Sequence, residues 1–283
     1  MVSIKKQTIA EFLASLFVSF FGLMGLVPLA QGHIQPFEQA ALFGLTVAFM
    51  VFLFATFSGA EFNPGFTVAF AFTKRQKKAT IIPFIIVHIL GWALGAAAIF
   101  ALFFRQLDTL PNNKVMTLFF CSTKNPISAC FIELIFTMFL VFIVLACSDK
   151  RVVNRPGKGA TPFVIGCFIL LAAATVGQYT GACLNAARDI GPRIVTLIYG
   201  LIRGYDVSVC FNDCYFLIYL IVPTAAAIAA TLIYDHGISH LFPKILPVFK
   251  HEEKHIEKKQ LIEEIKPTTK IVKTTKGKKR IKK

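Results

Sequence analysis

The chain has 283 residues, of which 55% are hydrophobic and 16% are charged, whereas soluble domains carry about 25% charged residues. Residues 244–283 hold 14 of the 30 basic residues and 5 of the 15 acidic ones, so a sparsely charged body precedes a basic tail. This distribution excludes a uniformly basic nucleic-acid-binding protein and predicts a membrane protein.

Six apolar stretches are long enough to cross a bilayer as helices, which takes about 20 residues each. In chain order they are residues 8–30, 37–57, 80–104, 127–147, 161–178 and 214–234. The predicted fold is therefore an all-α membrane protein. We expect a short terminus over residues 1–7, a membrane domain over 8–238 and a basic tail over 239–283. That tail is either a disordered segment or a segment attracted to anionic lipids.

Basic residues in short loops predict the orientation, because they accumulate on the cytoplasmic side of a membrane. Six spans place both termini on one side. That side would hold Lys5, Lys6, Lys74, Arg75, Lys77, Lys78, Lys150, Arg151, Arg155, Lys158 and the tail. Both termini are therefore predicted to be cytoplasmic, and the plasma membrane is the expected location.

The chain also repeats itself at an offset of 122 residues. Glu11 matches Glu133, and the segment at 58–63 (SGAEFN) matches that at 180–185 (TGACLN). Each copy, about residues 8–106 and 127–238, contains three spans. Because three is odd, the second copy must lie inverted in the membrane, and inverted repeats place the functional site where the halves meet near the midplane.

Two further apolar segments, about residues 64–73 and 186–196, are too short to span a bilayer, at about 15 Å each as helices. Asn63 and Asn185 precede them as N-caps, and Pro64 occupies the first helical position of the first. In an inverted repeat the two N-termini meet, so two positive dipole ends converge. The amides of Asn63 and Asn185 are expected to donate hydrogen bonds to permeating molecules.

This constellation resembles the aquaporin and aquaglyceroporin (major intrinsic protein) family over about residues 8–238. The family usually reads Asn-Pro-Ala twice, whereas this chain has the atypical motifs Asn63-Pro64-Gly65 and Asn185-Ala186-Ala187. Gly65 is expected to loosen the first half-helix. The resemblance implies a passive channel that forms homotetramers with one pore per subunit, and buried acids, Glu11 and Glu133, that hold backbone N–H groups of the loops.

The resemblance also implies a selectivity filter at Phe43, Ala173, Ala182 and Arg188. Water-selective members place His at the second position. Two alanines leave a wide opening between an apolar wall and a donor fork, which suits polyols, and the arginine repels cations. A solute-class signature, Asp189, Arg193 and Leu220, looks like the glycerol-conducting branch, although the Asp189–Arg193 pair could instead staple the loop by a salt bridge.

Two other features leave alternatives open. Glu61 stands where the family commonly has His, and is either a pH- or cation-sensitive group or a side chain bound to a loop N–H. Cys183 lies beside the filter and is the best candidate for block by a thiol reagent. Seven cysteines exclude complete pairing. Two of Cys121, Cys210 and Cys214, near the outer face, could oxidise, but a reduced state is favoured.

The predicted function is a passive channel for water and small uncharged solutes such as glycerol, which excludes ions and protons. The sequence contains no catalytic triad, phosphate-binding loop or metal-ligand cluster, so neither enzyme activity nor a cofactor nor a metal is predicted. The first alternative is a water-selective pore. The second is a non-conducting structural or adhesion protein, which would need neither Arg188 nor the two asparagines.

Overall fold

The computed structural model describes residues 2–211 and 215–242, and every regular element in these ranges is a helix. The α-helices are α1 (Ile4–Leu23), α2 (Leu26–Ala30), α3 (Pro36–Ser58), α4 (Pro64–Phe72), α5 (Ile81–Leu102), α6 (Phe104–Leu107), α7 (Asn112–Val115), α8 (Pro126–Ser148), α9 (Thr161–Thr180), α10 (Ala186–Arg203) and α11 (Phe216–His236). Short 3-10 helices cover Lys78–Thr80, Ser208–Cys210 and Ile238–Leu241.

Six segments of the described chain are long and apolar enough to cross a membrane: Ile4–Ala30, Pro36–Ser58, Lys78–Leu102, Pro126–Ser148, Thr161–Thr180 and Phe216–Leu241. The prediction of six spans and two half-helices is confirmed. Because successive spans alternate in direction, the start of α1 and the end of α11 lie at one face, here named the inner face. The opposite face is named the outer face.

Local sequence signals decide where the spans begin and end. Helix α3 begins at Pro36 behind a capping box, in which the N–H of Gln35 donates to Oε2 of Glu38 at 2.6 Å. Helices α3 and α9 both end at a glycine with positive φ, Gly59 at 106° and Gly181 at 80°. Only glycine takes this conformation at no steric cost, so the two matched glycines end matched spans.

The two repeats meet at a contact between α3 and α9 that requires two glycines. A Cβ atom on Gly44 would lie 2.6 Å from the carbonyl oxygen of Gly166, and one on Gly166 would lie 2.5 Å from that of Gly44. These distances are too short for any side chain. The helices therefore approach backbone to backbone, as small residues allow in membranes.

Polar and apolar side chains are distributed as expected for a protein surrounded by lipid. Large apolar side chains on the spans face outward, for example Phe49 at 50% and Phe52 at 57% exposure. Charged side chains lie inside instead, with Glu11 and Glu133 at 0% and Arg193 at 3%. Because intramembrane charges avoid lipid and face the bundle interior, this pattern supports a multi-pass membrane protein.

Two predicted boundaries differ from the structure. The second half-helix, α10, has 18 residues, about 27 Å, and does not end near residue 196. It continues through Pro192 to a C-cap at Gly204, where φ is 68°. That glycine was the missed stop signal. The first span begins at Ile4, not at residue 8, because the hydroxyl of Ser3 caps the helix by accepting from the N–H of Lys6. Residues 243–283, which include most of the predicted tail, lie outside the described residues.

Candidate functional site

Two matched loops, one from each repeat, meet in the interior. Half-loop 1 is residues 59–63, between α3 and α4, and half-loop 2 is residues 181–185, between α9 and α10. The amide Nδ2 of Asn63 donates to the carbonyl oxygen of Leu184 at 2.9 Å, and that of Asn185 donates to the carbonyl oxygen of Phe62 at 2.8 Å. The two half-helix N-termini therefore lie next to each other, as the repeat predicts.

Each asparagine side chain also caps its own half-helix. Oδ1 of Asn63 accepts from the N–H of Gly65 at 2.9 Å, and Oδ1 of Asn185 accepts from Ala187 at 3.0 Å and Arg188 at 3.4 Å. A carboxamide has two N–H donors. Since the cross-loop bond uses one, one N–H of each side chain remains available, and both asparagines line the central cavity.

Buried acids hold the half-loops from behind. Glu11 accepts from the N–H of Glu61 at 3.1 Å and of Phe62 at 2.8 Å, while Nε2 of His88 lies 2.9 Å from its second oxygen. Glu133 accepts from the N–H of Cys183 at 3.0 Å and of Leu184 at 2.7 Å. His88 thus contacts a carboxylate, and no metal-binding cluster occurs among the described residues.

These acids stabilise backbone that would otherwise be unfavourable. Ala60 and Phe62 have φ of 54° and 34°, and the matched Ala182 and Leu184 have 45° and 54°. Non-glycine residues in this left-handed region cost about 1–3 kcal/mol each and persist only where surrounding structure fixes them. The same strain at matched positions in both half-loops indicates a functional conformation of the loop.

Three cavities lie in series through the molecule. The outer cavity, at the outer face, includes Gln39, Ser122 and Gln178 in its wall. The central cavity is lined by both half-loops and is otherwise mostly apolar. The inner cavity includes Gln7 and Gln76. Neighbouring cavities share wall residues, so they adjoin one another between the two faces, and this series of cavities is named the path.

The four residues expected to form the filter lie together where the outer and central cavities meet. Phe43, Ala173, Ala182 and Arg188 all line the outer cavity, and all but Ala173 also line the central one. The guanidinium of Arg188 lies 5.9 Å from the centre of the Phe43 ring. The residues around the opening are thus one aromatic residue, one arginine and two alanines.

Arg188 is held by a segment that the sequence did not single out. Its Nη1 donates to the carbonyl oxygen of Phe119 at 2.8 Å, and its buried Nε has no hydrogen-bond partner among the described residues. Phe119 lies between α7 and α8, in the outer loop that joins the repeats. A carbonyl in an irregular loop carries no sequence signal, so this partner could not have been found from residue types.

Asp189 and Arg193 form a buried staple that fixes the same loop. Nη2 and Nε of Arg193 donate to the two carboxylate oxygens of Asp189 at 2.9 and 3.0 Å. Arg193 also donates to the carbonyl oxygens of Cys210 and Cys121, both at 2.6 Å, and its guanidinium lies 4.1 Å from the centre of the Phe120 ring. Oδ1 of Asp189 accepts from the N–H of Cys121 at 2.7 Å. Asp189 and Arg193 thus bind the N–H and the carbonyl oxygen of Cys121, and these bonds fix the loop.

Other residues singled out from the sequence lie in different surroundings. Leu220 is on α11, 39% exposed, and lines none of the three cavities. Gly65 packs closely against α11, since a Cβ there would lie 3.2 Å from Cα of Thr224. The thiols of Cys121 and Cys210 are free, and Cys214 lies outside the described residues. Cys183 is buried and lines the central cavity.

Within the described part of the chain, neither a backbone N–H nor a cationic side chain donates a hydrogen bond to the carboxylate of Glu61. Its Oε2 accepts from the hydroxyl of Thr67 at 2.6 Å. The residue is half-buried and lines both the central and the inner cavities. The alternative that its carboxylate binds a loop N–H is therefore not what the structure has, because the loop N–H groups donate to Glu11 instead.

Six spans around two facing half-helices, with a path that passes an arginine, define a membrane protein of the channel class. A family model described as Major intrinsic protein matches residues 1–234. The chain therefore belongs to the major intrinsic protein family.

Curated relatives have similar length. The chain is 29% identical over 273 residues to the glycerol uptake facilitator protein of Escherichia coli (strain K12), with 89% of this chain and 94% of that protein covered. It is 27% identical to aquaporin-9 of Homo sapiens, with coverage of 89% and 88%. The X-ray structure of the aquaglyceroporin from Plasmodium falciparum superposes with a TM-score of 0.76 at 23% identity, covering 84% of this chain and 98% of that one. This last match shows a shared fold.

Proposed function

We propose that this protein is a passive channel for water and small uncharged solutes such as glycerol, which excludes ions and protons. The observation that carries the proposal is the ring of Phe43, Ala173, Ala182 and Arg188 between the outer and central cavities. A carbon chain can pack against Phe43 while hydroxyls accept hydrogen bonds from Arg188. The two alanines leave room for a molecule wider than water.

Exclusion of ions follows from the charges around the path. Arg188 and the N-termini of α4 and α10 all present positive charge to the lumen, so a cation meets repulsion at the filter and again at the asparagine pair. Protons are excluded because Asn63 and Asn185 each offer an N–H to the oxygen of a passing water. That water then cannot accept a hydrogen bond from a neighbour in the file, which interrupts proton transfer.

The relatives support the solute class. Two of them are called glycerol uptake facilitator and propanediol uptake facilitator, the latter 26% identical with 85% of this chain covered. The motif residues Asn63, Pro64, Gly65, Asn185, Ala186 and Ala187 then form the midplane of the pore. The membrane domain over residues 8–238 conducts, and the tail over 239–283 is an appendage that contacts anionic lipids.

The basic residues of the inner face support the remaining parts of the proposal. Ten lysines and arginines of the N-terminus and the inner loops precede the basic tail, so the inner face is cytoplasmic by the positive-inside rule. We place the protein in the plasma membrane as a homotetramer with one pore per subunit, following the family resemblance.

Swelling and shrinking of proteoliposomes in osmotic and glycerol gradients tests the function. We expect water and glycerol flux well above that of protein-free vesicles, with no sodium leak. Replacing Ala173 by His should reduce glycerol flux about tenfold and leave water flux unchanged, because the imidazole ring narrows the opening. Ala173→Ser is the matched control and should conduct both. A pore that excludes glycerol in the wild type, or that is unaffected by Ala173→His, contradicts the proposed solute class.

A further inference from the structure

A carboxylate faces the path on the inner side of the asparagine pair. Glu61 lies two residues before Asn63, and it forms part of the wall of both the central and the inner cavities. Its Oε2 accepts a hydrogen bond from the hydroxyl of Thr67 at 2.6 Å, and Thr67 is fully buried on α4. The residue is therefore held on one side by a buried neighbour and lines the cavities on the other.

The neighbouring carboxylate, Glu11, has a different task. It already accepts two backbone N–H groups and contacts Nε2 of His88, and its side chain is 0% exposed. The side chain of Glu11 therefore has no exposed surface at which a solute could bind. Since the N–H of Glu61 is one of the two that donate to Glu11, the buried acid holds the backbone of Glu61 in place while the Glu61 side chain remains at the cavity.

The matched positions of the other repeat make the assignment specific. Adding 122 to 61 gives Cys183, whose thiol cannot replace a carboxylate as an acceptor. The outer part of the path instead presents Arg188, which carries donors only. A hydroxyl both donates and accepts, so a polyol meets a donor wall at the filter and an acceptor wall beyond the midplane.

We propose that Glu61 is a second solute-selecting group, whose carboxylate accepts hydrogen bonds from the hydroxyls of permeating polyols on the inner side of Asn63 and Asn185. This inference rests on the proposed function and goes further, because it assigns a role to a residue at which the chain departs from its family. A carboxylate has about four acceptor positions. It can therefore bind two adjacent hydroxyls while Thr67 occupies one position.

Protonation of Glu61 weakens this interaction, since it removes the charge and turns one acceptor into a donor. The charged or titratable groups that face Glu61 are Glu11 on α1, His88 on α5, and Arg75 and Lys77 in the inner cavity. Arg75 is paired with Asp235 at 2.8 Å. Across the central cavity stands Arg188, whereas α3 and α8 contribute uncharged wall residues such as Ser58 and Ser148. The selectivity for polyols should therefore decrease as the pH falls.

The test compares Glu61→Gln with the wild type in proteoliposomes, at matched pH on both sides. The measured quantity is the ratio of glycerol to water permeability over about pH 5 to 9, because burial moves the titration of a carboxyl to higher pH. We expect the wild-type ratio to fall on acidification. The ratio for Glu61→Gln should be about three- to tenfold lower than that of the wild type at the alkaline end of this range and should change little with pH.

Glu38→Gln is the matched control, because Glu38 caps α3 at the outer end and lines none of the cavities. It should keep both the wild-type ratio and its pH dependence. Thr67→Val is the second variant: it retains the carboxylate but removes its fixed donor, so we expect an intermediate ratio that still falls with acidification.

Each outcome decides one question. If Glu61→Gln conducts water with the wild-type glycerol ratio and pH profile, the inference is overturned and the proposed function stands. If Glu61→Gln does not fold, a flat wild-type pH profile overturns the inference. A wild-type ratio that falls on acidification, together with a lower ratio in Thr67→Val, supports it. Absence of water and glycerol flux through the wild type overturns both proposals.

Discussion

Half-loop 1 and half-loop 2 have the same backbone but different side chains. Both begin at a positive-φ glycine, contain two strained non-glycine residues, and end at an asparagine that caps a half-helix. In both, a fully buried glutamate accepts two consecutive N–H groups. The hydrogen bonds that define the loop are thus duplicated to within about 0.1 Å.

The side chains that follow this common backbone differ in charge. Glu61 of repeat 1 corresponds to Cys183, Phe66 to Arg188, and Thr67 to Asp189. The outer half therefore contains a cation, a buried ion pair and a long half-helix, and the inner half contains a carboxylate bound by a hydroxyl. The two repeats thus share the residues that fix the loop backbone and differ in the side chains near the lumen.

The outer half also depends on a third segment, for which the inner half has no counterpart among the residues that the structure describes. The loop around Phe119 and Cys121 receives hydrogen bonds from Arg188 and Arg193, and Cys121 donates to Asp189. A cation in a filter must be fixed, because a flexible guanidinium would close or open the pore at random. We infer that the buried Asp189–Arg193 pair positions this loop.

The largest expected effect tests the shared backbone. Glu11→Ala leaves two buried N–H groups and His88 without their acceptor, and Glu133→Ala leaves two N–H groups. At about 1–3 kcal/mol for each orphaned group, both variants should lose flux. Glu11→Ala should be the less stable of the two in thermal unfolding in detergent. A negligible loss of flux in either variant would contradict the idea that both half-loops depend on their glutamates, and equal unfolding temperatures would contradict the added contribution of the contact between Glu11 and His88.

The next effect separates the matched residues Thr67 and Asp189. Arg193→Leu leaves the carboxylate of Asp189 buried and unpaired and should cost about 3–5 kcal/mol of unfolding free energy. Thr67→Val removes one neutral hydroxyl bond and should cost about 1 kcal/mol. Combining Arg193→Leu with Asp189→Asn should recover part of the loss. If Thr67→Val lowers the unfolding free energy as much as Arg193→Leu does, Thr67 stabilises the inner half as strongly as the ion pair stabilises the outer half.

A smaller effect concerns selectivity at the outer half alone. Arg188→Leu should lower the ratio of glycerol to water permeability about tenfold, because one hydrogen bond to a charged donor, worth about 1.5 kcal/mol, is lost. It should also admit sodium. Arg188→Lys retains the charge but not the planar fork, so it should exclude sodium while losing most of the preference for glycerol. If Arg188→Leu keeps both the preference for glycerol and the exclusion of sodium, the filter assignment is wrong.

The smallest effect concerns Cys183, the counterpart of Glu61. Cys183→Ser should conduct within about a factor of two of the wild type, because the two side chains are similar in volume. A small, neutral thiol reagent should slow wild-type flux and leave Cys183→Ser unaffected. Cys167→Ser, which removes an exposed thiol, serves as the control and should stay sensitive. Block that persists in Cys183→Ser would place the reactive thiol elsewhere.

Much of the fold could be predicted because membrane helices follow from local composition. Six apolar stretches gave six spans, and a single offset of 122 residues gave the inverted repeat and the pairing of Asn63 with Asn185. The length of α10 could not be predicted from hydropathy. Its end is set by the left-handed C-cap at Gly204, and tertiary partners bind the charged side chains of Arg188, Asp189 and Arg193 in the interior.

The sequence by itself therefore determined the six spans and the repeat, since these depend on hydropathy and on the order of residues, whereas the candidate filter residues came from the resemblance to the family. Only the tertiary structure decided what each polar side chain contacts. It brought a loop carbonyl at Phe119 to Arg188 and left Leu220 away from the path. It also placed Glu61 at the cavity and Glu11 behind it. Two glutamates that look alike in sequence thus differ by burial and hydrogen bonding, which depend on segments far apart in the chain.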